Sequence, residues 1–300
     1  MPASVRVQVP AKVNLHLSVG PLRPDGYHEL VTVFHAVDIT DELIATEGVG
    51  ISLTVSGAGT DAVPAGQDNL AWRAAELLAK TAGVAPNVHL ELRKRIPVAG
   101  GMAGGSADAA AALVGCAKLW YVEADLPPLA AQLGADVAFP LLGGTAVGTG
   151  RGEVLRPVDV RLRLHWVFAL ADGGISTGAA YGELDLLRAD GAAPEPIGPP
   201  DALLAALASD DLAGVAASLG NDLEAAALAL RPELRATLDA GRQAGALAAL
   251  VSGSGPTCAF LCADAGAAET VAQELRAVGV CHEALVASGP APGAQVVSPD

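Results

Sequence analysis

The chain has 300 residues, of which 51% are apolar and 17% charged, and its net charge is −15. This composition excludes a disordered chain, and 35 glycines fall far short of the roughly one-third glycine of collagen. The acidic balance argues against nucleic-acid and anionic-membrane partners. No apolar run reaches the roughly 18 residues of a membrane span, and the opening segment lacks the apolar core of a signal peptide. We therefore expect a cytoplasmic protein.

The amino-terminal half is predicted to be rich in strands. Apolar and polar residues alternate at 5–9, 13–19, 51–55 and 88–92, as in half-buried strands. Helical spacing predicts helices at 69–82 and 106–120. A new apolar run at 164–170 places the boundary of a first domain, 1–160, just before it.

The carboxy-terminal half is predicted to form a second domain, 161–288. A proline-rich loop at 189–200 precedes helices within 201–243, and two short strands are expected around 252–257. A helix at 267–278 and a strand at 283–286 complete an α+β fold, and residues 289–300 are expected to form a flexible tail. Cys116, Cys258, Cys262 and Cys281 lack zinc-site spacing, so we expect buried free thiols.

A glycine-rich loop at 97–106 lies between a predicted strand and a predicted helix. Its sequence is Pro-Val-Ala-Gly-Gly-Met-Ala-Gly-Gly-Ser. Glycine lets several backbone N–H groups approach a phosphate, and a helix amino terminus adds partial positive charge. The loop is not a Walker A motif, because no Lys-Ser/Thr pair follows the glycines. The alternative is a tight turn in which Ser106 caps the helix.

Three segments in this order resemble the motifs of the GHMP kinases. They are Pro-Ala-Lys-Val-Asn-Leu at 10–15, the glycine loop, and Ser-Gly-Ser-Gly-Pro-Thr at 252–257. Two further segments, Arg-Pro-Asp-Gly-Tyr-His at 23–28 and Gly-Ala-Asp at 134–136, resemble the GHMP kinases that phosphorylate a cytidine diphosphate derivative of methylerythritol. Ala99 and Ala103 depart from the pattern, since many relatives carry glycine there.

The resemblance implies a specific architecture and activity. The expected fold is a ribosomal-protein-S5-like amino-terminal domain, a ferredoxin-like carboxy-terminal domain, and an active site in the cleft between them. The expected reaction is ATP-dependent phosphorylation of the 2-hydroxyl of that cytidylyl substrate, in the non-mevalonate route to isoprenoid precursors, with Mg²⁺ and as a monomer or homodimer. The alternatives are another small-molecule kinase of the family, such as a homoserine or mevalonate kinase, and a nucleotide-binding regulator without activity.

The resemblance also implies two catalytic residues. Asp136 would accept the proton of the substrate hydroxyl, while Lys12 would keep Asp136 ionised and stabilise the developing alkoxide. Without the resemblance, the two side chains would be interpreted as a helix cap and an exposed lysine on a strand.

The ATP site implied by the resemblance centres on the glycine loop. It comprises Lys94, Pro97, Val98, Ala99, Gly100, Gly101, Met102, Ala103, Gly104, Gly105 and Ser106. The Ser106 hydroxyl would bind either Mg²⁺ or a phosphate oxygen. Lys94 and Arg95 face either the nucleotide or solvent, and Asp108 is expected to be an acid in the first turn of the helix.

The substrate site implied by the resemblance uses two aromatic residues and a histidine. Tyr27 and Tyr181 would stack on cytosine and His28 would bind the edge of the base. The complete predicted set is Asn14, Tyr27, His28, Thr177, Tyr181, Gly253, Ser254 and Gly255. The competing interpretations are a turn at Tyr27 and His28, a core position at Tyr181, and a plain strand connector at 252–257. The segment beginning at Asn221 is interpreted first as a helix cap.

Overall fold

The computed structural model describes residues 4–57, 59–98 and 100–297. The strands of these ranges are β1 (Ser4–Leu22), β2 (His28–Thr46), β3 (Ile51–Gly57), β4 (Val88–Lys94), β5 (Thr145–Thr149), β6 (Val154–Val158), β7 (Leu164–Leu170), β8 (Gly220–Asn221), β9 (Ala248–Val251), β10 (Cys258–Cys262), β11 (Glu283–Gly289) and β12 (Gln295–Val297). The helices are α1 (Leu70–Ala82), α2 (Gly104–Leu119), α3 (Leu126–Leu133), α4 (Ala138–Leu142), α5 (Thr177–Ala189), α6 (Asp201–Ala208), α7 (Leu212–Ser218), α8 (Glu224–Leu230), α9 (Leu234–Gln243) and α10 (Ala265–Val278). Two short 3-10 helices are Thr60–Ala62 and Ala135–Val137.

The larger sheet is built around the antiparallel pair β1 and β2, each 19 residues long. Its strand order is β12-β1-β2-β4-β3, with β5 added along β2, β6 along β5, and the short β8 along β1. The register of β1 against β2 shifts between Pro10 and Ala11 and again between Asn14 and His16. Such irregularities redirect side chains. Here they flank the segment that contains Lys12.

Helix α2 packs on the larger sheet and is made largely of small residues. Residues 107–112 are all buried, and five of these six are alanines. A Cβ atom at Gly115 would lie 3.2 Å from Leu43 Cδ2 and 3.4 Å from Val7 Cγ2, which shows how closely the helix lies on the strands. This packing fixes the position of the glycine loop, since the loop leads directly into α2.

The smaller sheet is antiparallel, with strand order β11-β7-β10-β9. Successive residues of β7 point to opposite faces. Val167 and Ala169 pack with residues of α9 and α10, whereas Trp166 and Phe168 belong to the apolar core that also contains the larger sheet. The smaller sheet is therefore buried on both faces, and one face joins the two halves of the chain.

The predicted domain boundary at 160/161 falls in the connection between β6 and β7. The two halves are nevertheless interleaved, because β8 and β12 come from the carboxy-terminal half and pair with β1. The expected flexible tail is wrong for residues 289–297. Gly289 ends β11, and Gln295 to Val297 pair with Gln8 to Arg6 of β1. The last three predicted tail residues, 298–300, lie outside the described ranges.

Two other sequence predictions concern membranes and cysteines. No helix within the described ranges is long and apolar enough to cross a membrane. Cys116, Cys258 and Cys262 are free and buried as predicted, whereas Cys281 is only partly buried.

The backbone conformation of Ala103 generates a stability prediction. Ala103 precedes α2 with φ 60° and ψ 34°, in the left-handed region. That conformation costs an alanine about 1–2 kcal/mol, more than the roughly 0.4–1 kcal/mol of extra unfolded-state entropy that glycine brings. We expect Ala103→Gly to raise the free energy of unfolding by about 0.5–1 kcal/mol in urea titrations. Ala109→Gly, inside the same helix, is the control and should lower it; a decrease for both variants would contradict the assignment of strain.

Candidate active site

Lys12 lies at the centre of the site and is buried, with 5% of its surface exposed. Its Nζ donates hydrogen bonds to Asn14 Oδ1 at 2.6 Å and to the Gly101 carbonyl at 3.0 Å. Burial lowers the pKa of Lys12, and the nearby Asp136 carboxylate opposes that shift. The interpretation of Lys12 as an exposed strand lysine is therefore wrong, because other segments cover β1 on both faces.

The orientation of Asn14 is fixed by a short chain of hydrogen bonds. Its Nδ2 donates to Thr32 Oγ1 at 2.8 Å, and the Thr32 hydroxyl donates to the His16 carbonyl at 2.7 Å. The amide oxygen of Asn14 must therefore face Lys12. Lys12 and Asn14 thus form a hydrogen-bonded pair of buried polar side chains on β1.

The glycine loop meets the segment at 252–257 in direct backbone contact. Gly101 has φ +74°, and a Cβ atom there would lie 2.0 Å from the Ser252 carbonyl oxygen. The Ser252 hydroxyl donates to the Gly101 carbonyl at 3.3 Å, the same oxygen that accepts from Lys12. Gly253 has φ +55°, and its Cβ position would be 3.2 Å from Lys12 Nζ. The three motifs found in the sequence therefore meet around one carbonyl group.

The amino end of α2 leaves several amides without helical partners. The helix begins at Gly104, and its first turn closes with the hydrogen bond from Ala107 N to the Ala103 carbonyl at 2.9 Å. The interpretation of Ser106 as the helix cap is wrong, because Ala103 holds that position and Ser106 is the third helical residue. The N–H groups of residues 104–106 are thus available to an anion.

A cavity of about 290 Å³ lies where these segments meet. Lys12, Asn14, Asp136 and Ser106 all line it. Asp136 lies in the short 3-10 helix that follows Gly134, and its side chain caps neither that helix nor α4. No direct ion pair joins Lys12 and Asp136 among the described residues. The space between them is therefore open to a substrate oxygen.

The other predicted ATP-site residues are distributed unevenly around this cavity. Gly100, Gly101, Ala103, Gly104, Gly105 and Pro97 line it, and Val98 lines an adjoining cavity with Pro97. Met102 does not, because its side chain is fully buried in the core and only its carbonyl accepts a 3.3 Å hydrogen bond from Lys12 N. Ala99 lies outside the described ranges.

Lys94 is buried and lines the adjoining cavity with Pro97 and Val98 rather than the first cavity. Its buried Nζ donates to Asp41 and, at 2.6 Å, to Asp108. Burial lowers the pKa of Lys94, but the two carboxylates outweigh this effect and raise it; burial raises the pKa of Asp108. Asp108 is the fifth residue of α2, so its prediction as a first-turn acid is wrong. Asp41 also accepts from Arg95 N and Ile96 N. The contacts among Lys94, Asp41 and Asp108 therefore fix the backbone that leads into the glycine loop.

A second cavity, of about 780 Å³, adjoins the first and shares Asp136, Ser106 and Tyr181 with it. Tyr27 and His28 also line it. The rings of His28 and Tyr181 are stacked, with centroids 5.1 Å apart and an interplanar angle of 29°. Tyr27 is 53% exposed at the mouth of this cavity. The structure therefore brings together the three residues predicted to recognise a base.

The segment at 23–28 forms a tight loop that presents Tyr27. Arg23 N donates to the Tyr27 carbonyl at 2.7 Å, and Gly26, with φ +83°, donates to the Arg23 carbonyl at 3.0 Å. Asp25 Oδ1 accepts from Tyr27 N at 3.1 Å. The pattern Arg-x-Asp-Gly-Tyr is thus a closed turn in which Asp25 accepts from the backbone and Gly26 supplies the positive φ.

The remaining substrate-site residues lie on α5 and the 252–257 loop. Thr177 and Ser254 line the first cavity, and their hydroxyl oxygens are 3.4 Å apart. Gly253 lines it as well. Gly255 does not line it, because it faces Val251 Cγ1, 2.9 Å from its Cβ position.

Sequence analysis missed Arg151 and Asp185 and interpreted Asn221 only as part of a helix cap. Asn221 Nδ2 donates to the Val251 and Gly253 carbonyls at 2.8 and 2.7 Å. Arg151 places its guanidinium 4.9 Å from the Tyr27 ring centroid. Asp185 lies within 3.0 Å of His28. The one available signal was the spacing of Asp185, four residues after Tyr181, which puts two side chains on the same face of a helix. The contacts of Asn221 and Arg151 join segments far apart in sequence.

Comparisons with known proteins identify the family of this chain. Residues 69–144 match the family model "GHMP kinases N terminal domain", and residues 203–281 match "GHMP kinases C terminal". A 4-diphosphocytidyl-2-C-methyl-D-erythritol kinase from Salinispora tropica is 58% identical, over 97% of this chain and 94% of the relative. A crystal structure of 4-(cytidine 5'-diphospho)-2C-methyl-D-erythritol kinase is 36% identical with a TM-score of 0.77, covering 94% of this chain and 98% of that one.

A homoserine kinase from Cytophaga hutchinsonii has a similar TM-score, 0.78, at 21% identity over 99% of this chain and 98% of that one, which shows a shared fold alone. The α+β fold and the arrangement of the three motifs thus define a GHMP kinase, as the sequence predicted. Within that class, the chain belongs to the 4-diphosphocytidyl-2-C-methyl-D-erythritol kinase family.

The contacts of Asn221 generate a prediction. In Asn221→Asp the side chain keeps its acceptor for Leu223 N but loses both donors, leaving the Val251 and Gly253 carbonyls opposite an acid. We expect the free energy of unfolding to fall by about 2–4 kcal/mol, with a loss of catalytic rate, because two buried acceptors lose their partner. Asn87→Asp, which makes the same charge change at an exposed position, is the control. Equal effects of the two variants in urea titrations would contradict this role.

Proposed function

We propose that this chain transfers the γ-phosphoryl group of ATP to the 2-hydroxyl of 4-diphosphocytidyl-2-C-methyl-D-erythritol, a step in the non-mevalonate route to isoprenoid precursors. One observation supports the proposal: the cavity lined by Lys12 and Asp136 adjoins the cavity lined by Tyr27, His28 and Tyr181, and Asp136 and Tyr181 line both. The substrate has its reacting hydroxyl near one end and its cytosine at the other. The hydroxyl would occupy the first cavity and the cytosine the second.

Asp136 is the proposed general base. It faces the same cavity as Lys12, so a substrate hydroxyl between them can give its proton to the carboxylate as the oxygen attacks phosphorus. A protonated lysine has three N–H donors, and two of those of Lys12 are used by Asn14 and Gly101. The third is free to stabilise the developing negative charge on the attacking oxygen.

The triphosphate of ATP is proposed to lie along the glycine loop. The free amides at the start of α2 and the partial positive charge of the helix end would bind its oxygens. This assignment explains how a loop without its own free lysine could hold an anion, since Lys94 is already paired with two carboxylates.

The site also fits a Mg²⁺ ion accompanying ATP. Magnesium takes oxygen ligands and is commonly held by substrate phosphates with one or two protein groups. The Ser106 hydroxyl, which lines both cavities beside Asp136, is the proposed protein ligand. When bound, the ion would neutralise phosphate charge.

Substrate choice provides the direct test of the proposed activity. In an ATP-consumption assay over the cytidylyl methylerythritol substrate, homoserine and mevalonate, we expect turnover of the first alone. The reason is that the larger cavity presents Tyr27, His28 and Tyr181, for which the other two substrates have no base to offer. Equal turnover of homoserine or mevalonate would refute the assignment of substrate while leaving the fold family unchanged. Failure of all three with ATP bound would favour a non-catalytic nucleotide-binding protein.

Replacement of Asp136 tests the proposed base. Asp136→Asn keeps the shape of the side chain but removes its capacity to take a proton, so kcat should fall by about 10²- to 10⁴-fold. Calorimetric titration should show ATP binding unchanged. Asp125→Asn, at an exposed helix start where the side chain makes no capping bond, is the charge-matched control and should keep normal kcat. Near-normal kcat in Asp136→Asn would show that the proton goes elsewhere.

A further inference from the structure

Asp185 contacts the proposed base-recognition site without belonging to any of the sequence motifs. It lies on α5 four residues after Tyr181, so both side chains project from the same face of the helix. Its Oδ1 lies 3.0 Å from His28 Nε2. The His28 side chain is 6% exposed and that of Asp185 34% exposed, so the contact is partly shielded from water.

This contact determines which nitrogen of His28 carries hydrogen. An ionised carboxylate can only accept a hydrogen bond, so the Nε2 atom facing Asp185 must be the donor. In the neutral imidazole the other nitrogen, Nδ1, then has a lone pair and no hydrogen. Nδ1 makes no hydrogen bond within the described chain, and it is not among the buried atoms sealed from solvent. It therefore remains available as an acceptor.

The ring of His28 is also fixed in orientation. Tyr181 stacks against it with centroids 5.1 Å apart, while Asp185 holds one edge. Rotation of the imidazole about χ2 would exchange the nitrogen facing Asp185 for a carbon and lose the hydrogen bond. Helix α5 thus supplies, one turn apart, both the surface on which the ring lies and the group that sets its hydrogen positions.

We propose that Asp185 is a positioning residue that makes the site select cytosine over uracil, by holding His28 in the form whose Nδ1 accepts a hydrogen bond. Cytosine presents an exocyclic amino group, a donor, where uracil presents a carbonyl, an acceptor. An Nδ1 acceptor pairs with the first and repels the second. This inference rests on the proposed function, because it assumes that the second cavity binds the cytidylyl group.

The test compares three variants on two substrates. The substrates are the cytidylyl methylerythritol compound and its uridylyl analogue, and the measured quantity is the ratio of their kcat/KM values at pH 8. Asp185→Asn replaces the obligatory acceptor by an amide that can donate to Nε2. Asp185→Glu keeps a carboxylate as the conservative variant. Glu183→Gln removes the same charge from the same helix and is the matched control.

The expected result is a change in selectivity rather than a general loss. Asp185→Asn should reduce the cytidine-to-uridine ratio by about tenfold, the value of one hydrogen bond, with KM for ATP unchanged. Asp185→Glu and Glu183→Gln should keep the wild-type ratio. An Asp185→Asn enzyme with the wild-type ratio, or one that loses both substrates equally, would overturn the proposal.

A spectroscopic measurement separates this inference from the proposed function. Long-range ¹H–¹⁵N spectra report which imidazole nitrogen carries hydrogen, and His28→Gln identifies the His28 signals among the six histidines. We expect an Nε2–H ring in the wild type and a changed pattern in Asp185→Asn. A wild-type ring with hydrogen on Nδ1 would overturn the role of Asp185 whatever the enzyme phosphorylates. A wild type that carries Nε2–H but does not use the cytidylyl compound would overturn the proposal too, through the failure of the proposed function alone.

Discussion

The carbonyl group of Gly101 is the point on which the site depends. It accepts hydrogen bonds from Lys12 Nζ and from the Ser252 hydroxyl, and so ties the first strand, the glycine loop and the 252–257 loop to one atom. The contact requires glycine at 101, because a Cβ atom there would overlap the Ser252 carbonyl. Segments about 90 and 240 residues downstream of Lys12 thereby set the direction of its ammonium group.

The same arrangement explains how an acidic protein can hold a polyphosphate. The net charge of −15 disfavours anions at long range. Within the site, however, the positive ends of backbone dipoles lie close to the cavity, and distance outweighs total charge in a partly dehydrated space. Lys94 does not add to this positive potential, since its charge is paired with the carboxylates of Asp41 and Asp108, which support the loop. In the proposed site, the residues that support the loop are therefore different from the groups that bind the anion.

Much of this organisation is predictable from local sequence, because each motif encodes a local backbone shape. The turn at 23–28, helix α1 and the approach of the glycine loop to α2 follow from residue types at fixed spacing. The burial of Lys12 and the hydrogen bonds from Asn221 to the Val251 and Gly253 carbonyls do not follow from local spacing. Strand alternation reports one buried face, whereas the centre of β1 is covered on both faces by segments distant in sequence. Likewise, the position of Asp108 near a helix start does not predict its partner Lys94, which lies at the end of β4.

The pairing of β12 with β1 has a consequence for how the enzyme is assembled. The two strands come from opposite ends of the chain, and closing a loop of nearly the full chain length costs entropy that only an already folded partner can offset. The pairing is therefore among the contacts of this sheet with the highest loop-closure cost. Without it, residues 6–8 at the edge of β1 would present unpaired N–H and C=O groups, the feature through which sheets of separate molecules join. The carboxy-terminal strand thus covers the edge of the strand that carries Lys12.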